Sequence, residues 1–600
     1  PGAIEYDGQV RGEGGANTSW DGSWTVASTR DEAGWYAEMR IPFSTLRHGP
    51  GDEQTWGLNI TRYIGRKNEQ VVWSPVPRQY NFYRLTEAGR LAGLRPPPRR
   101  VTTLTPYVLG AARRIPPVDP NVTYPVEAGA DAKIGLTQGL ALDLTLNTDF
   151  AQVEADDQQV DLTRFSLFFP EKRPFFLENA DLFSVGLNFL PGRTSSRTAL
   201  FHSRRIGVAS GEQVPINWGS RLSGRAAGID VGALHMRTDG LTGLQDPTEW
   251  SVARVARELP NRSRLGAIVT SRSSSDNPDD YGRTYGVDGR LGIGERWTFT
   301  GVAGLTEQPG ASDSRELYSI VGEYLTPNWY FRTYHDRVGW NFDPQMGFIP
   351  YNGFRETSLR LERIERPAAP WLREIRTHIR RTWAYDLTGF KELEFRHLHS
   401  NFSFEDGGSL SPAIQWVEEG LREPFRIRGT DIVVPEGSYK GWNSYGNFRT
   451  NPAAPVSFNG RWDLGTYLSG NRWGGSLGVA VRRGAVWTGS LTVSHNRIRL
   501  PEGDYNTTLT RFALQYAFSP DVFLQSLIQY NDQTRIWSGN VRFGWLDTAG
   551  TGLFIVYNER QEMDVIGVSG LLPRDALFPS ERTLAIKFTR QLDLSDLTDF

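Results

Sequence analysis

The sequence predicts an all-β protein, a large antiparallel transmembrane β-barrel of roughly 22–26 strands preceded by a partial β-sandwich. Three observations predict it. Residues 139–149 read GLALDLTLNTD, so Leu140, Leu142, Leu144 and Leu146 alternate with Ala141, Asp143, Thr145 and Asn147. A strand of this pattern has one apolar and one polar face, and the pattern recurs down to the C-terminus. Connections also alternate in length, and the composition is hydrophilic on average yet rich in aromatics. A soluble sandwich turns the apolar face to a core; a barrel turns it to lipid and its polar face to a lumen. On the barrel reading, Leu140 to Leu146 face lipid, and Asp143 and Asn147 face the lumen.

Bulk properties fit that class. Mean hydropathy is −0.44 over 600 residues. No run approaches the roughly 18 consecutive apolar residues of a membrane-spanning helix. Aromatics reach 12%, with 19 Trp, 22 Tyr and 31 Phe, as interfacial girdles require. With no Cys, disulfides, thiolate metal sites and cysteine nucleophiles are excluded together. A net charge of −2 offers no global basic field for a nucleic-acid partner. The chain opens at Pro1 with no export signal in view, so it reads as a processed or truncated product of the cell envelope.

Residues 1–97 are rich in Trp and turns, with WDGSW at 20–24, GWYAEMRIPFSTLR at 34–47 and TWGLNITRYIGRKNEQVVWSP at 55–75. These read as short strands of a compact sandwich. The proline-rich stretch at 95–100 breaks the pattern as a stiff linker. The barrel then occupies residues 98–600. Clear alternating runs include 128–136, 218–226, 228–238, 248–257, 263–272, 354–364, 372–384, 485–495, 521–531 and 582–594; the stretch between 384 and 474 is less clear. Short connections fall at 295–296, 325–328, 519–520 and 547–550, and long ones at 239–248, 273–281, 336–352 and 560–580. With a periplasmic N-terminal domain, the short turns are periplasmic and the long loops external. The last strand places Leu584, Ile586, Phe588, Leu592 and Leu594 on one face with Arg590 the exception, and the chain ends in the aromatic Phe600.

Beyond these patterns, the segment NTDFAQVEADDQQVDLTRFSLFFPEKRPFFLENADLF at 147–183 resembles the DUF5916 family of bacterial outer-membrane proteins. In that family a domain resembling family 9 carbohydrate-binding modules precedes a predicted barrel. The 34–47 and 55–75 motifs resemble the C-terminal half of such a module, and 518–560 resembles the far end of the barrel. The module's opening strands are not in this sequence, so a sugar site built from both halves would be incomplete.

Three candidate sites follow. Trp20, Trp24, Trp35, Trp56 and Trp73 offer stacking platforms for sugar rings, with Glu38, Asn59 and Arg62 as hydrogen-bonding partners; the alternative is that they are core residues. The connection 150–197 is the longest in the barrel, and its first part is acidic. Asp149, Glu154, Asp156 and Asp157, with Asp161 beyond them, supply hard oxygen ligands that suit Ca²⁺, although no EF-hand spacing is present. Its second part carries Phe168, Phe169, Glu171, Lys172, Arg173, Phe175, Phe176 and Glu178. Mixed charge between aromatics suits a loop folded into a polar lumen and pinned to the wall by salt bridges.

Glycoside hydrolysis by Glu154 with Asp156, or Glu171 with Glu178, requires a carboxylate geometry that sequence proximity does not supply. The eight His show no paired metal-ligand spacing, which argues against a zinc site. Arg511, Gln515, Gln525, Gln529, Arg542 and Asn558 are expected to line the lumen. The reading that results is an outer-membrane barrel, in contact with lipid, for passage or retention of a polar solute or polymer such as a saccharide. The 150–197 loop and the N-terminal domain gate or plug it, and no catalytic residue or obligatory cofactor is assigned. The rival readings are a scaffold that houses an envelope protein partner and a surface carbohydrate-active hydrolase.

Overall fold

A computed structural model describes residues 8–10, 16–17, 22, 24–46, 51–64, 67–78, 80–96, 101–115, 119–149, 156–187, 198–209, 211–484, 486–519, 521–548, 550–562 and 580–594. The alternating strands close into an antiparallel barrel of 24 strands. The first strand, Thr102–Ile115, pairs with the last, Ser580–Thr589, with Ile586 opposite Gly110, so the main sheet has no free edge. Closure satisfies the backbone polar groups that lipid cannot solvate.

The side-chain alternation takes the direction expected at Leu140–Thr148. Ala141, Asp143 and Thr145 are buried inside, while Leu144 and Leu146 are exposed on the outer wall. Asn147 departs from its expected place. Its φ of 51° takes it out of the extended ladder, and its amide donates to the Ala128 carbonyl at 2.8 Å. Asn tolerates this left-handed backbone better than most residues.

The outer wall carries an apolar band with residues such as Ile320, Ile379, Leu398 and Leu477. Exposed Trp297, Trp329 and Trp545 border the band at the short-turn end. At the long-loop end it gives way to a ladder of outward-facing ion pairs: Arg237–Glu249 at 3.0 Å, Arg337–Glu316 at 3.0 Å and Arg381–Glu394 at 2.9 Å. An apolar belt between an aromatic girdle and a charged rim is the build of an outer-membrane barrel. Among the described residues, no helix is long and apolar enough to cross a membrane.

Two features differ from expectation. Loop lengths are one-sided through the first half of the barrel, but residues 468–469 and 501–502 make two-residue turns at the long-loop end. Leu468, Ile498 and Leu500 at these hairpins pack with Leu421, Ile427 and Val434 against Leu162 of the inserted segment, which takes the space a longer loop would need. The second difference is inside. On strands between Ile216 and Phe354 the lumen face is apolar rather than polar, with Leu234, Met236, Trp250, Val252, Ile268 and Val302 all buried.

That apolar half-wall is covered by the inserted segment. Its described part contains two one-turn helices, Pro174–Leu177 and Ala180–Phe183, and a short strand, Thr198–Ala199. Pro174 opens the first helix, where its missing N–H costs nothing. Asn179 joins the two at φ 54° and donates to Ser223 on the wall at 3.0 Å. Phe176, Leu182, Phe183, Leu200 and Ile206 then complete a core with the wall residues and with Phe342 and Met346 of the 339–353 loop.

The N-terminal part holds smaller two-stranded sheets, Thr25–Arg30 with Trp35–Arg40, Gln54–Leu58 with Gly89–Leu94, and Thr61–Ile64 with Glu69–Val72. It meets the barrel at the short-turn end. Tyr80 donates to the Glu295 carbonyl at 3.0 Å, and Arg373 donates to the Asn68 carbonyl at 2.9 Å.

Candidate functional site

The inserted segment crosses the lumen, and its two halves are held differently. Residues 173–187 and 198–206 rest on the apolar wall, as described above. Residues 156–168 form an arm that reaches the opposite, polar wall. There the Gln158 backbone N–H donates to Gln529 at 2.8 Å and its side chain donates to Ser538 at 2.7 Å. Gln533 accepts from the Asp161 N–H at 3.1 Å and donates to the Asp161 carbonyl at 2.9 Å. Asp161 also pairs with Arg428, and Asp157 pairs with Arg511 at 2.5 Å. Tyr467 donates to the Leu162 carbonyl at 2.7 Å. This half of the lumen wall is polar where it meets the arm. Arg511 and Gln529 occupy paired register positions and both engage the arm, and Arg542 donates to Gln525 on the neighbouring strand.

Where the arm bends back toward the apolar wall, the expected lumen residues are ordered. Phe168 packs 4.8 Å from the His202 ring and 5.1 Å from Phe348. His202 Nε2 lies 3.1 Å from the Phe169 carbonyl. Glu171 accepts from Arg173 Nε at 2.8 Å and from Ser203 at 2.7 Å. Burial works against the Glu171 charge, but the Arg173 and Ser203 hydrogen bonds and the Arg173 charge outweigh it and hold the carboxyl at about 2. Burial pushes His202 down to about 4 against the pull of Glu171, so its ring is neutral in place. Arg173 stacks 4.3 Å from the Phe176 ring, and Arg221 lies 4.9 Å from Phe175. Glu178 pairs with Lys133 at 2.5 Å and Lys172 with Asp156 at 3.7 Å.

The other sequence-selected residues are placed as follows. Glu171 and Glu178 are each held by cations and do not face each other across an open cleft. The acidic run does not converge into an oxygen cage either. Asp149 pairs with Lys587 at 3.1 Å, Asp156 with Arg204, and Asp157 with Arg511, each at a different place; Glu154 lies outside the described residues. Of the N-terminal platform, Trp20 lies outside the described residues and Trp24 is partly buried. Trp35 is half exposed with the Arg62 guanidinium 5.4 Å over its ring, and Trp56 packs edge-on against Phe43 at 5.8 Å. Asn59 clamps Ser74 through two hydrogen bonds, at 2.8 and 3.0 Å. Trp73 and Glu38 are exposed.

Beneath the arm lies a cavity of about 840 Å³ bounded by residues 162–168 and by the wall strands Phe354–Glu365, Leu372–Asp386, Lys391–Phe404, Ser409–Leu421 and Gly437–Arg449. Register sets two rows of side chains on its wall. Arg360, Arg380, His397 and Gln415 stand opposite one another in turn. In the next row, Glu362, His378, His399, Ala413 and Tyr445 do the same. His378 Nε2 and His397 Nε2 are 2.9 Å apart, and each of the three His has a ring nitrogen within 4.8 Å of the others. The fold thus brings together three His that the sequence spacing left apart. The signal was HisLeuHis at 397–399, because period two puts both His on one face, but the third member comes from another strand.

A comparison with curated proteins finds no match. Solved structures to which the chain is similar include Copper transporter OprC, 11% identical at a TM-score of 0.36, over 84% of this chain and 83% of that one. The FrpB iron transporter from Neisseria meningitidis, F5-1 variant apoprotein form, is 10% identical at 0.36, over 82% and 81%. Pseudomonas aeruginosa OpdQ is 8% identical at 0.26, over 82% and 98%. At this degree of overlap nothing about cargo follows from them. Residues 97–221, which run from the first barrel strand through the inserted segment, match the model for the domain of unknown function DUF5916.

Proposed function

We propose that the chain is an outer-membrane barrel for passage or retention of a polar solute, gated by its own inserted segment, with the N-terminal sheets at the periplasmic mouth. The observation that carries this reading is the unequal attachment of the segment. Residues 173–187 and 198–206 are fixed by an apolar core, while the 156–168 arm is held to the far wall mostly by hydrogen bonds and ion pairs, with Leu162 its one deeply buried apolar anchor. Neutral hydrogen bonds of this kind contribute about 0.5–1.5 kcal/mol each and those to charged groups about 1.5–3 kcal/mol, and all of them can be exchanged for bonds to water. The arm is the part able to swing, and the cavity lies directly under it. Its Arg, His, Gln and Tyr lining suits a polar ligand, a saccharide among them.

The test is planar-bilayer conductance. The wild-type chain is expected to conduct little, and Asp161→Ala combined with Gln533→Ala to open frequent, larger events. Silence from that variant and from a deletion of residues 156–168 would sink the gating reading. One observation favours a second reading: the apolar core under residues 173–187 and 198–206 is as well buried as a domain core. A permanently sealed barrel would serve as a scaffold for an envelope partner, and that same silence would support it.

A further inference from the structure

We propose that His378, His397 and His399 form a binding site for a divalent transition-metal ion on the lumen wall. The site needs only the wall strands, so it stands whether or not a solute passes. Neutral imidazole is a good ligand for copper, nickel and zinc ions. Ligand nitrogens at about 2.0–2.1 Å from one ion lie roughly 3–4 Å apart. The three His nitrogens already lie within 4.8 Å of one another, with two at 2.9 Å, so small ring rotations would bring all three onto an ion.

The surroundings prepare the rings for this role. His378 and His397 are almost fully buried. The Tyr445 hydroxyl is 2.8 Å from His397 Nδ1, and His378 Nδ1 faces Arg360 Nη2 at 3.4 Å with the Glu362 carboxylate at 3.6 Å. The Tyr445 contact on the remote nitrogen fixes the His397 ring and leaves its Nε2 toward the ion, as an outer-shell partner of a metal-bound His does. Without an ion, two Nε2 atoms face each other, and a single shared proton is the only bond available between them.

Charge is the main opposing term. Arg360 and Arg380 stand beside the cluster. Arg360 pairs with Glu362, which is 2% exposed and also faces Arg376 at 3.7 Å. Arg380 makes no ion pair among the described residues and lies 4.6 Å over the Phe395 ring. Three protein ligands leave coordination positions open toward the cavity. An anion bound there to the metal would lie beside Arg380 and offset its charge, so an anionic co-ligand should strengthen retention.

The experiment uses the full chain in detergent micelles, stripped with EDTA and equilibrated with Cu²⁺ or Zn²⁺, with bound metal measured after desalting. The expected result is one equivalent retained, nitrogen hyperfine structure in the Cu²⁺ EPR spectrum, and tighter retention when oxalate is added. His397→Ala with His399→Ala should lose that equivalent. Changing the outer-wall His235, His335 and His495 to Ala should not. Tyr445→Phe should weaken binding about 10-fold through its outer-shell role. Heat-modifiable migration on gels reports folding; if the double variant fails to fold, His399→Gln alone is used and should change the EPR nitrogen pattern. Retention that survives loss of the cluster in folded protein, or no stoichiometric retention by wild type, overturns the proposal.

Discussion

Arg221 and Asp143 stand opposite each other on adjacent strands, with Arg221 Nη2 2.8 Å from Asp143 Oδ2 and both side chains buried inside the barrel. The same guanidinium donates to the carbonyls of Phe175 and Glu178, at 2.9 Å in the second case. One side chain thus ties two wall strands to the inserted segment. Removing one partner of a buried ion pair leaves the other unpaired and costs about 3–5 kcal/mol. Arg221→Met should lower the unfolding midpoint in micelles and raise hydrogen exchange over 174–183. Adding Asp143→Leu should recover part of the loss, since the stranded carboxylate is then gone. A double variant less stable than the single would show that the pair is not the hub.

The apolar seat of the segment depends on the absence of a side chain at Gly232. A Cβ there would meet Leu182 Cδ2 at 2.3 Å and the Phe183 ring at 2.9 Å. Overpacking of this kind costs about 1–3 kcal/mol, and truncating a buried Leu about 2–5 kcal/mol. Gly232→Val and Leu182→Ala should each loosen the segment and raise bilayer conductance. Combined, they should be less harmful than the sum of the two, because the valine enters the space the leucine leaves. Strict additivity in thermal unfolding would place the two residues apart.

Much of the barrel was legible because lipid enforces period two: the outer face must be apolar on every strand, and the Leu140–Leu146 run and the Leu584–Phe588 strand show it. The inner face was less legible. Its polarity is set by what fills the lumen, and residues 173–187 and 198–206 demand an apolar half-wall that no local pattern announces. The strand Lys391–Phe404 shows the difficulty: Leu393 and Phe395 point inward with His397 and His399, while the outward Glu394 and Arg396 belong to the charged rim. With both faces mixed, the alternation fades, and the strand carrying two of the three clustered His went unread. The 150–197 segment was recognisable as a lumen element from its Phe and charged residues, but its acids were consumed by Arg and Lys far away in sequence, and only the fold reveals those partners.

Lipid contact makes its own demand on the outer wall. Ile379 and Leu398 stand opposite each other there, both exposed to whatever surrounds the barrel. Arg at the bilayer midplane of a barrel costs about 2–4 kcal/mol, and less near the interfaces. Leu398→Arg should therefore reduce folding yield into lipid vesicles more than Arg396→Leu, which lies one step nearer the charged rim. Equal tolerance of both changes would mean that this face does not meet the hydrocarbon layer.

Acid should loosen the inserted segment in two separate windows. Burial holds His202 neutral down to about 4, below its ordinary 6.5, so the released segment takes up a proton that the seated one refuses. Attachment is then complete above about 6.5 and weakens as pH falls toward 4, by on the order of 3 kcal/mol. Glu171, held at about 2 by Arg173 and Ser203 against its ordinary 4.5, contributes stability that is present above 4.5 and lost as pH falls toward 2. Hydrogen exchange of residues 198–209, followed from pH 7 to 3, should rise through the upper window first and again through the lower one. His202→Gln should remove the rise between 6.5 and 4 and leave the lower one, whereas Glu171→Gln should do the reverse. An exchange profile flat from 7 to 4 in wild type would show that His202 is not what seats the segment.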